Sequence, residues 1–228
     1  MRILGKFPDP CVVAVSGGQD SLAALRFIYK GNQTKRTIVV LHVNHGTDHG
    51  NYIADHIEDL VKWACPGIEH RSYVFQRVTP AKDKPEHTSW EAHWRRLRQT
   101  AYKEAMEHYG VPVITGHHLG DVAEWWLYTA LRGDPHLTPY RGLYTIKPFL
   151  AATPQQLHLK YQIRDISEPL AYWEEDPSNG DVSFARNRIR HKIVPQALKV
   201  HPGFMTTMRK KVIAAYEEYS AKYPSILQ

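Results

Sequence analysis

Four times in its first 131 residues the chain follows a short apolar, largely β-branched run with a stretch whose apolar residues recur at helical spacing. The runs are CVVAV (11–15), RTIVVLHV (36–43), IEHRSYVF (68–75) and VPVIT (111–115). Each is too short for a buried helix and reads as a strand. The helical patterns run to about Tyr29, from about Tyr52 to Ala64, from about Ser89 to His108 and from about Asp121 to Leu131. Strands alternating with helices predict an α/β fold, an open parallel sheet with helices on both faces. A fifth short strand within LYTIKPF (143–149) and a helix from Thr153, with Pro154 at its first position, complete the unit. Beyond about Pro169 the chain turns polar, turn-rich and then basic. The expected division is therefore 1–165 for the sheet unit and 166–228 for a small helical appendage ending in a helix over 203–221.

A length of 228 residues suffices for one main core and a small second unit. With 43% hydrophobic and 23% charged residues and no low-complexity run, the chain has the composition of a folded domain. No segment approaches ~18 uninterrupted apolar residues, and MRILGKFPDP lacks the apolar stretch of a signal peptide, so the expectation is a cytoplasmic protein with no membrane partner. Cys11 and Cys65 lie far apart without a C-x-x-C motif, which fits a reducing compartment. A net charge of +6 is compatible with an anionic partner such as nucleic acid, and equally with a basic protein that binds none.

In open parallel sheets ligands sit beyond the carboxyl ends of the strands, and the unusual strings fall there. Ser16-Gly17-Gly18-Gln19-Asp20-Ser21 follows the first run: two glycines for close backbone approach, two hydroxyls, and the amide groups of a helix start suit a phosphate. Attraction to phosphate does not explain Asp20, but a bridging Mg²⁺ does. The string lacks the Gly-Lys-Ser/Thr ending of a Walker loop. His42 and His45 lack a third ligand at zinc spacing, and His42 fits a nucleobase or phosphate contact better. Asp121 and Glu124 share one face of a helix start just after Gly116 and His117, so their carboxylates point toward the strand ends. Glu91, Arg95 and Arg98 recur on one helix face with Trp94 and Leu97 turned elsewhere; a solvated face and a phosphate-facing stripe explain them equally. In DPSNGDVSFARNRIR (176–190), Arg186 and Arg190 stack one above the other on a helix beside Arg188, and their repulsion calls for an anion between or beside them.

Together SGGQDS, HVNHG, EAHWRRLR, GHHLGDVAE, KPF and DPSNGDVSFARNRIRHKIVP resemble, in order, the motifs of the N-type ATP pyrophosphatase (PP-loop) family, and within it of the tRNA(Ile)-lysidine synthetases. The resemblance spans about residues 11–198. It implies an ATP-dependent ligase that adenylates C2 of the first anticodon cytidine of an isoleucine tRNA with a CAU anticodon, releasing pyrophosphate, after which free lysine displaces AMP. On this chain Ser16, Gly17, Gly18, Gln19, Asp20 and Ser21 then hold ATP, with Asp20 on Mg²⁺, while His42, Gly116 and His117 line the adenosine. Asp121 and Glu124 bind the lysine ammonium, and Glu124 accepts its proton, because an ammonium has no lone pair with which to attack. Arg186 and Arg190 stabilise charge on the adenylate or on RNA phosphate. Arg95, Arg98 and Arg188 contact the anticodon stem-loop.

This chain departs from that pattern at Gly120, where the family often has Asp, at Thr47-Asp48 in place of a Leu-Arg pair, and at Trp125 in place of a small polar residue. The family's larger members carry further C-terminal domains, whereas this sequence ends at Gln228. Three alternatives accompany the leading reading: tRNA thiolation, the same chemistry with a different amine, and a non-catalytic RNA-binding protein that keeps the fold.

Overall fold

The apolar runs pair as five parallel strands, β1 (Cys11–Ala14), β2 (Ile38–Val43), β3 (Tyr73–Val78), β4 (Val113–Ile114) and β5 (Thr145–Ile146), in the order β3-β2-β1-β4-β5. This is a computed structural model describing residues 1–31, 36–70, 73–78, 86–159 and 176–224. The chain builds outward from β1 through β2 to β3 and then returns to the other side of β1 as β4. That reversal opens a crevice at the carboxyl ends of β1 and β4.

The strand period of two sorts side chains onto two buried faces. Val12, Val39, Leu41 and Val113 pack with Ala105 and Tyr102 of α3 (Trp90–Tyr109). Cys11, Val13, Ile38, Val40 and Ile114 join the larger core filled by α1 (Gln19–Gly31), α2 (Asp48–Ala64) and α4 (Leu119–Ala130). A sheet covered on both sides explains why its strands read as continuous apolar runs rather than as alternation. In α5 (Pro154–Leu159), Thr153 and Gln156 cap reciprocally, side chain to backbone, at 3.1 Å each way.

Several element boundaries differ from the sequence expectation for local reasons. Helices α2 and α4 begin ahead of the expected starts at Tyr52 and Asp121 because Thr47 and His118 serve as N-caps. Ile68–His70 form a single 3₁₀ turn after the left-handed Gly67 (φ 80°), and β3 starts only at Tyr73. The fifth strand is short because its segment folds back on itself: Gly142 N–H donates to Thr145 O (2.8 Å) and Lys147 N–H to Tyr140 O (2.9 Å).

The expected boundary at 165/166 lies outside the described residues. Past it come α6 (Ala185–Arg188), one π-helical turn (Ile189–Ile193), α7 (Val194–Val200) and α8 (Phe204–Lys222). Phe204, Met208 and Val212 of α8 are buried in the larger core, with the Phe204 ring 6.0 Å from that of Trp126 on α4. The basic segment is thereby held against α4.

Candidate active site

The β1–α1 loop is shaped by Gly17, which sits at φ +88° and where a Cβ would lie 2.5 Å from Ile53 of α2. No other residue fits that conformation and space. The loop hydroxyls bond internally: Ser16 Oγ lies 3.2 Å from Ser21 Oγ, which donates to Gly18 O at 2.8 Å. Asp20 opens α1 with its side chain 44% exposed. His158 Nε2–H donates to its Oδ1 at 2.6 Å, and His118 Nε2 lies 3.2 Å from the same oxygen. Burial alone would raise the Asp20 pKa, but the bonds to His118 and His158 and their charge more than offset it and hold the carboxyl well below the usual range.

The β4–α4 loop is drawn tightly onto this one. A Cβ on Gly116 would stand 2.8 Å from Asp20 O, so the close approach this glycine permits is first that of the neighbouring backbone. His117 Nδ1 pairs with Thr115 Oγ1 at 2.8 Å, and burial brings its pKa down to about 4. His118 caps α4: Nδ1 accepts from Gly120 N–H (3.0 Å) and Asp121 N–H (3.4 Å), while Asp121 Oδ2 accepts from His118 N–H (2.9 Å). Burial opposes protonation of His118, but Asp121, Asp20 and Glu124 outweigh it and raise its pKa. The departure at Gly120 has its physical reason here, since a Cβ would lie 2.8 Å from the His118 ring.

Asp121 and Glu124 are buried, 8% and 5% exposed, and both face α6 and the π turn. Arg186 Nη2 donates to Asp121 Oδ1 at 2.6 Å and its Nε to Glu124 Oε2 at 3.1 Å. Arg190 grips Glu124 with two bonds, Nε to Oε1 at 2.6 Å and Nη2 to Oε2 at 3.1 Å. The anion beside the two arginines is thus the chain's own carboxylate pair. Burial would raise the Asp121 pKa, but the cations, with His118 foremost, lower it. Asn187 ties this element to the preceding turn through Ser178 O (2.6 Å) and Asp181 O (3.0 Å), and His191 holds Asn179 O at 2.8 Å.

A cavity of about 320 Å³ opens between these loops. Of the sequence-derived candidates, Ser16, Gly18, Asp20, Ser21, Gly116, His117, Asp121, Arg190 and Arg98 line it. Glu124 and Arg186 adjoin it through Arg190 and Asp121. Gly17 and Gln19 are outside the lining and belong to the loop's frame. His42 is 2% exposed and donates from Nδ1 to Val15 O at 2.8 Å beneath the wall; His45 takes the lining position assigned to it. Arg188 donates to Val182 O at 3.1 Å, within its own loop, and Arg95 is an exposed residue outside the lining. Trp94 is not turned away from Arg98, since the two lie one turn apart on the same side of α3.

The residues that sequence reasoning passed over are His118, His158, Tyr102 and Asn179, while His45, weighed there only as a metal ligand, lines the pocket. His118 carried a signal, a side-chain acceptor three residues before Asp121 at a helix start. Asn179 stood in a string read only as turn chemistry. His158 had none, since its partner Asp20 lies 138 residues away.

A phosphate-suited loop at the switch point of a parallel sheet, opposed by a buried cluster of acids and arginines, defines an α/β nucleotide-binding protein. The chain belongs to the PP-loop domain family, whose model matches residues 5–197. It is 30% identical over 213 residues to the tRNA(Ile)-lysidine synthase of Lactiplantibacillus plantarum, covering 91% of this chain and 45% of that protein. It is 30% identical over 211 residues to that of Parasynechococcus marenigrum (86% and 58%) and 27% identical over 226 residues to that of Petrotoga mobilis (95% and 70%). The chain spans about half the length of most of the curated relatives it matches. Its fold is also that of the U34-tRNA thiolase NcsA from Methanococcus maripaludis with its [4Fe-4S] cluster, with a TM-score of 0.67, 15% identity and coverage of 94% of this chain and 74% of that one. Among the described residues no helix is long and apolar enough to cross a membrane.

Proposed function

We propose that the chain is an ATP-dependent, AMP- and pyrophosphate-forming ligase that converts the first anticodon cytidine of tRNA(Ile) (CAU) to lysidine in the cytoplasm. In this reading residues 1–165 carry ATP activation and 166–228 supply the arginines. The observation that carries it is the contact of Asp121 and Glu124 with Arg186 and Arg190 at the pocket edge: one cluster holds both the anions that attract an ammonium and the cations that attract an adenylate. Substrates would exchange these partners, guanidinium to phosphate and carboxylate to amine, so the buried charges are never left alone.

Ser16, Gly18 and Ser21 orient the triphosphate from the loop, and Gly116 and His117 border the nucleoside. His117 is neutral near pH 7, which suits a hydrogen bond to the base or ribose. Asp20 fits Mg²⁺: it is part-exposed on the pocket, both imidazoles bond to Oδ1, and one carboxylate plus substrate phosphates is an ordinary Mg²⁺ donor set. When bound, the ion offsets charge on the phosphates. The cytidine O2 attacks the α-phosphorus and pyrophosphate leaves. Glu124 then takes a proton from the lysine ε-ammonium, the freed amine attacks C2, and AMP departs with its charge met by Arg186 and Arg190. Arg98, in the pocket wall, and Arg95 and Arg188, outside it, supply the RNA with phosphate contacts.

Thiolation fits less well. Both cysteines are buried, Cys11 at 1% and Cys65 at 0% exposure, and burial pushes the Cys11 thiol up to about 11, the reverse of an activated nucleophile. The test is pyrophosphate release from ATP with Mg²⁺, radiolabelled lysine and unmodified CAU-anticodon tRNA, followed by nucleoside analysis. Label recovered as a cytidine adduct supports the assignment. Pyrophosphate without label refutes lysine as the nucleophile, and neither product refutes the catalytic reading.

A further inference from the structure

The backbone at Asp20 is fixed by the β4–α4 loop, whose Gly116 sits so close that an added Cβ would stand 2.8 Å from Asp20 O. That packing leaves the side chain unsettled, since it is 44% exposed and has two torsions free to turn. An aspartate in the first turn of a helix has a ready local alternative, folding back onto the amide groups that the helix leaves unpaired. Among the described residues Asp20 makes no such bond. Its Oδ1 accepts from His158 Nε2–H at 2.6 Å and lies 3.2 Å from His118 Nε2.

The two imidazoles are held independently of each other. His118 caps α4, and because its Nδ1 accepts from Gly120 and Asp121 N–H, its ring proton is on Nε2, toward Asp20. His158 has no part in either loop. It is buried on α5 beside the core residue Leu157, and its bond to Asp20 is the only one it makes among the described residues. Helix α5 is itself anchored, since Gln156 Oε1 accepts from Thr153 N–H at 3.1 Å and from Arg209 Nη2 of α8 at 3.0 Å. An apolar side chain at 158 would fill the same place without the penalty of burying an imidazole, so packing alone does not call for histidine there. Both donors meet one oxygen of Asp20. The other, Oδ2, has no partner among the described residues, and Asp20 lines the pocket.

We propose that His158 is a positioning residue: it holds Asp20 Oδ1 so that Oδ2 stays off the α1 amides and is presented to the divalent cation that accompanies ATP. This rests on the ATP-dependent reading above and adds to it. A hydrogen-bond donor behind a ligating carboxylate fixes its orientation before the ion arrives, and removing such a partner typically costs about 10–100-fold in metal affinity. With one oxygen held by the two imidazoles, a single carboxylate oxygen remains for the ion, which suits a site completed by water and substrate phosphates.

The test is equilibrium dialysis of radiolabelled ATP against the protein, once with EDTA and once with excess Mn²⁺ as the probe ion. The ratio of the two Kd values reads how much the ion tightens ATP binding. His158→Leu is expected to shrink that ratio about tenfold, and His158→Gln, which keeps an N–H donor, to recover most of it. In an Asp20→Ala background His158→Leu should change the ratio no further, because its effect runs through that carboxylate. An unaltered ratio for His158→Leu, no recovery in His158→Gln, or a full further loss in the Asp20→Ala background overturns the positioning role alone. Wild-type ATP binding that Mn²⁺ does not tighten overturns the ion site at Asp20 and the positioning role with it, and failure of the wild type to bind ATP at all overturns the ATP-dependent reading. Matching melting curves for wild type and variants separate loss of the ion's contribution from misfolding.

Discussion

Replacing Glu124 by Gln keeps the side-chain shape and removes the charge at the centre of the acid–arginine cluster. Glu124 accepts from Arg186 Nε and from Arg190 Nε and Nη2 at 3.1, 2.6 and 3.1 Å, and is itself 5% exposed. A hydrogen bond to a charged group contributes about 1.5–3 kcal/mol. Gln retains one accepting oxygen but turns an NH₂ donor against a guanidinium donor, so at least one bond is lost and the others become weaker. Water recovers part of this, because the Arg186 and Arg190 side chains are 57% and 35% exposed. The expected net cost is about 1–3 kcal/mol. Urea unfolding followed by circular dichroism reads this as a midpoint lowered by about 0.5–1 M. Arg190→Met should cost a similar amount, and the double variant less than the sum by about 1 kcal/mol or more. A Glu124→Gln midpoint within about 0.1 M of wild type, or strict additivity, would refute the buried bidentate pair. In the lysidine assay the same substitution should spare pyrophosphate release more than lysine transfer; equal loss of both refutes Glu124 as the amine's base.

Three further outcomes follow from the geometry. Asp20→Ala should abolish pyrophosphate release while leaving the fold intact, since the side chain is 44% exposed; retained release would remove Asp20 from ATP activation. His45 and His117 have folded pKa values near 4, below the ordinary 6.5, so the unfolded chain binds more protons between those values. Stability should therefore fall as pH drops from 6.5 toward 4, by about 1.4 kcal/mol per unit per histidine. The raised His118 opposes this, contributing stability that is lost as pH rises. His117→Asn should flatten the urea-midpoint profile in that window, and an unchanged profile counts against its buried neutral state. Finally, neither Cys11 nor Cys65 should react with a thiol reagent such as Ellman's in the native protein at pH 8, whereas both should after denaturation; rapid native labelling of either would reopen the thiolation reading.

Local pattern was enough for the architecture. Short β-branched runs such as IVVLHV become strands buried on both faces, and Thr153-Pro154 caps a helix, because strand and helix periods and capping chemistry act over a few residues. The position of SGGQDS at a strand's carboxyl end was legible for the same reason, and so was the shared face of Asp121 and Glu124. What those carboxylates touch was not. Arg186 and Arg190 lie 62 to 66 residues from Glu124, and His158 lies 138 from Asp20; each contact depends on which helix covers which end of the sheet. The exchange of His42 for His45 in the pocket wall has a similar origin: period-two alternation says only that His42 faces the same side of β2 as Ile38 and Val40, while the helices packed on that face make it interior. Sequence alone determined the strands, the helices and the loops in which the candidate acids and arginines stand. Tertiary packing decided which of them meet, because partner choice depends on strand order and helix docking that no local pattern encodes.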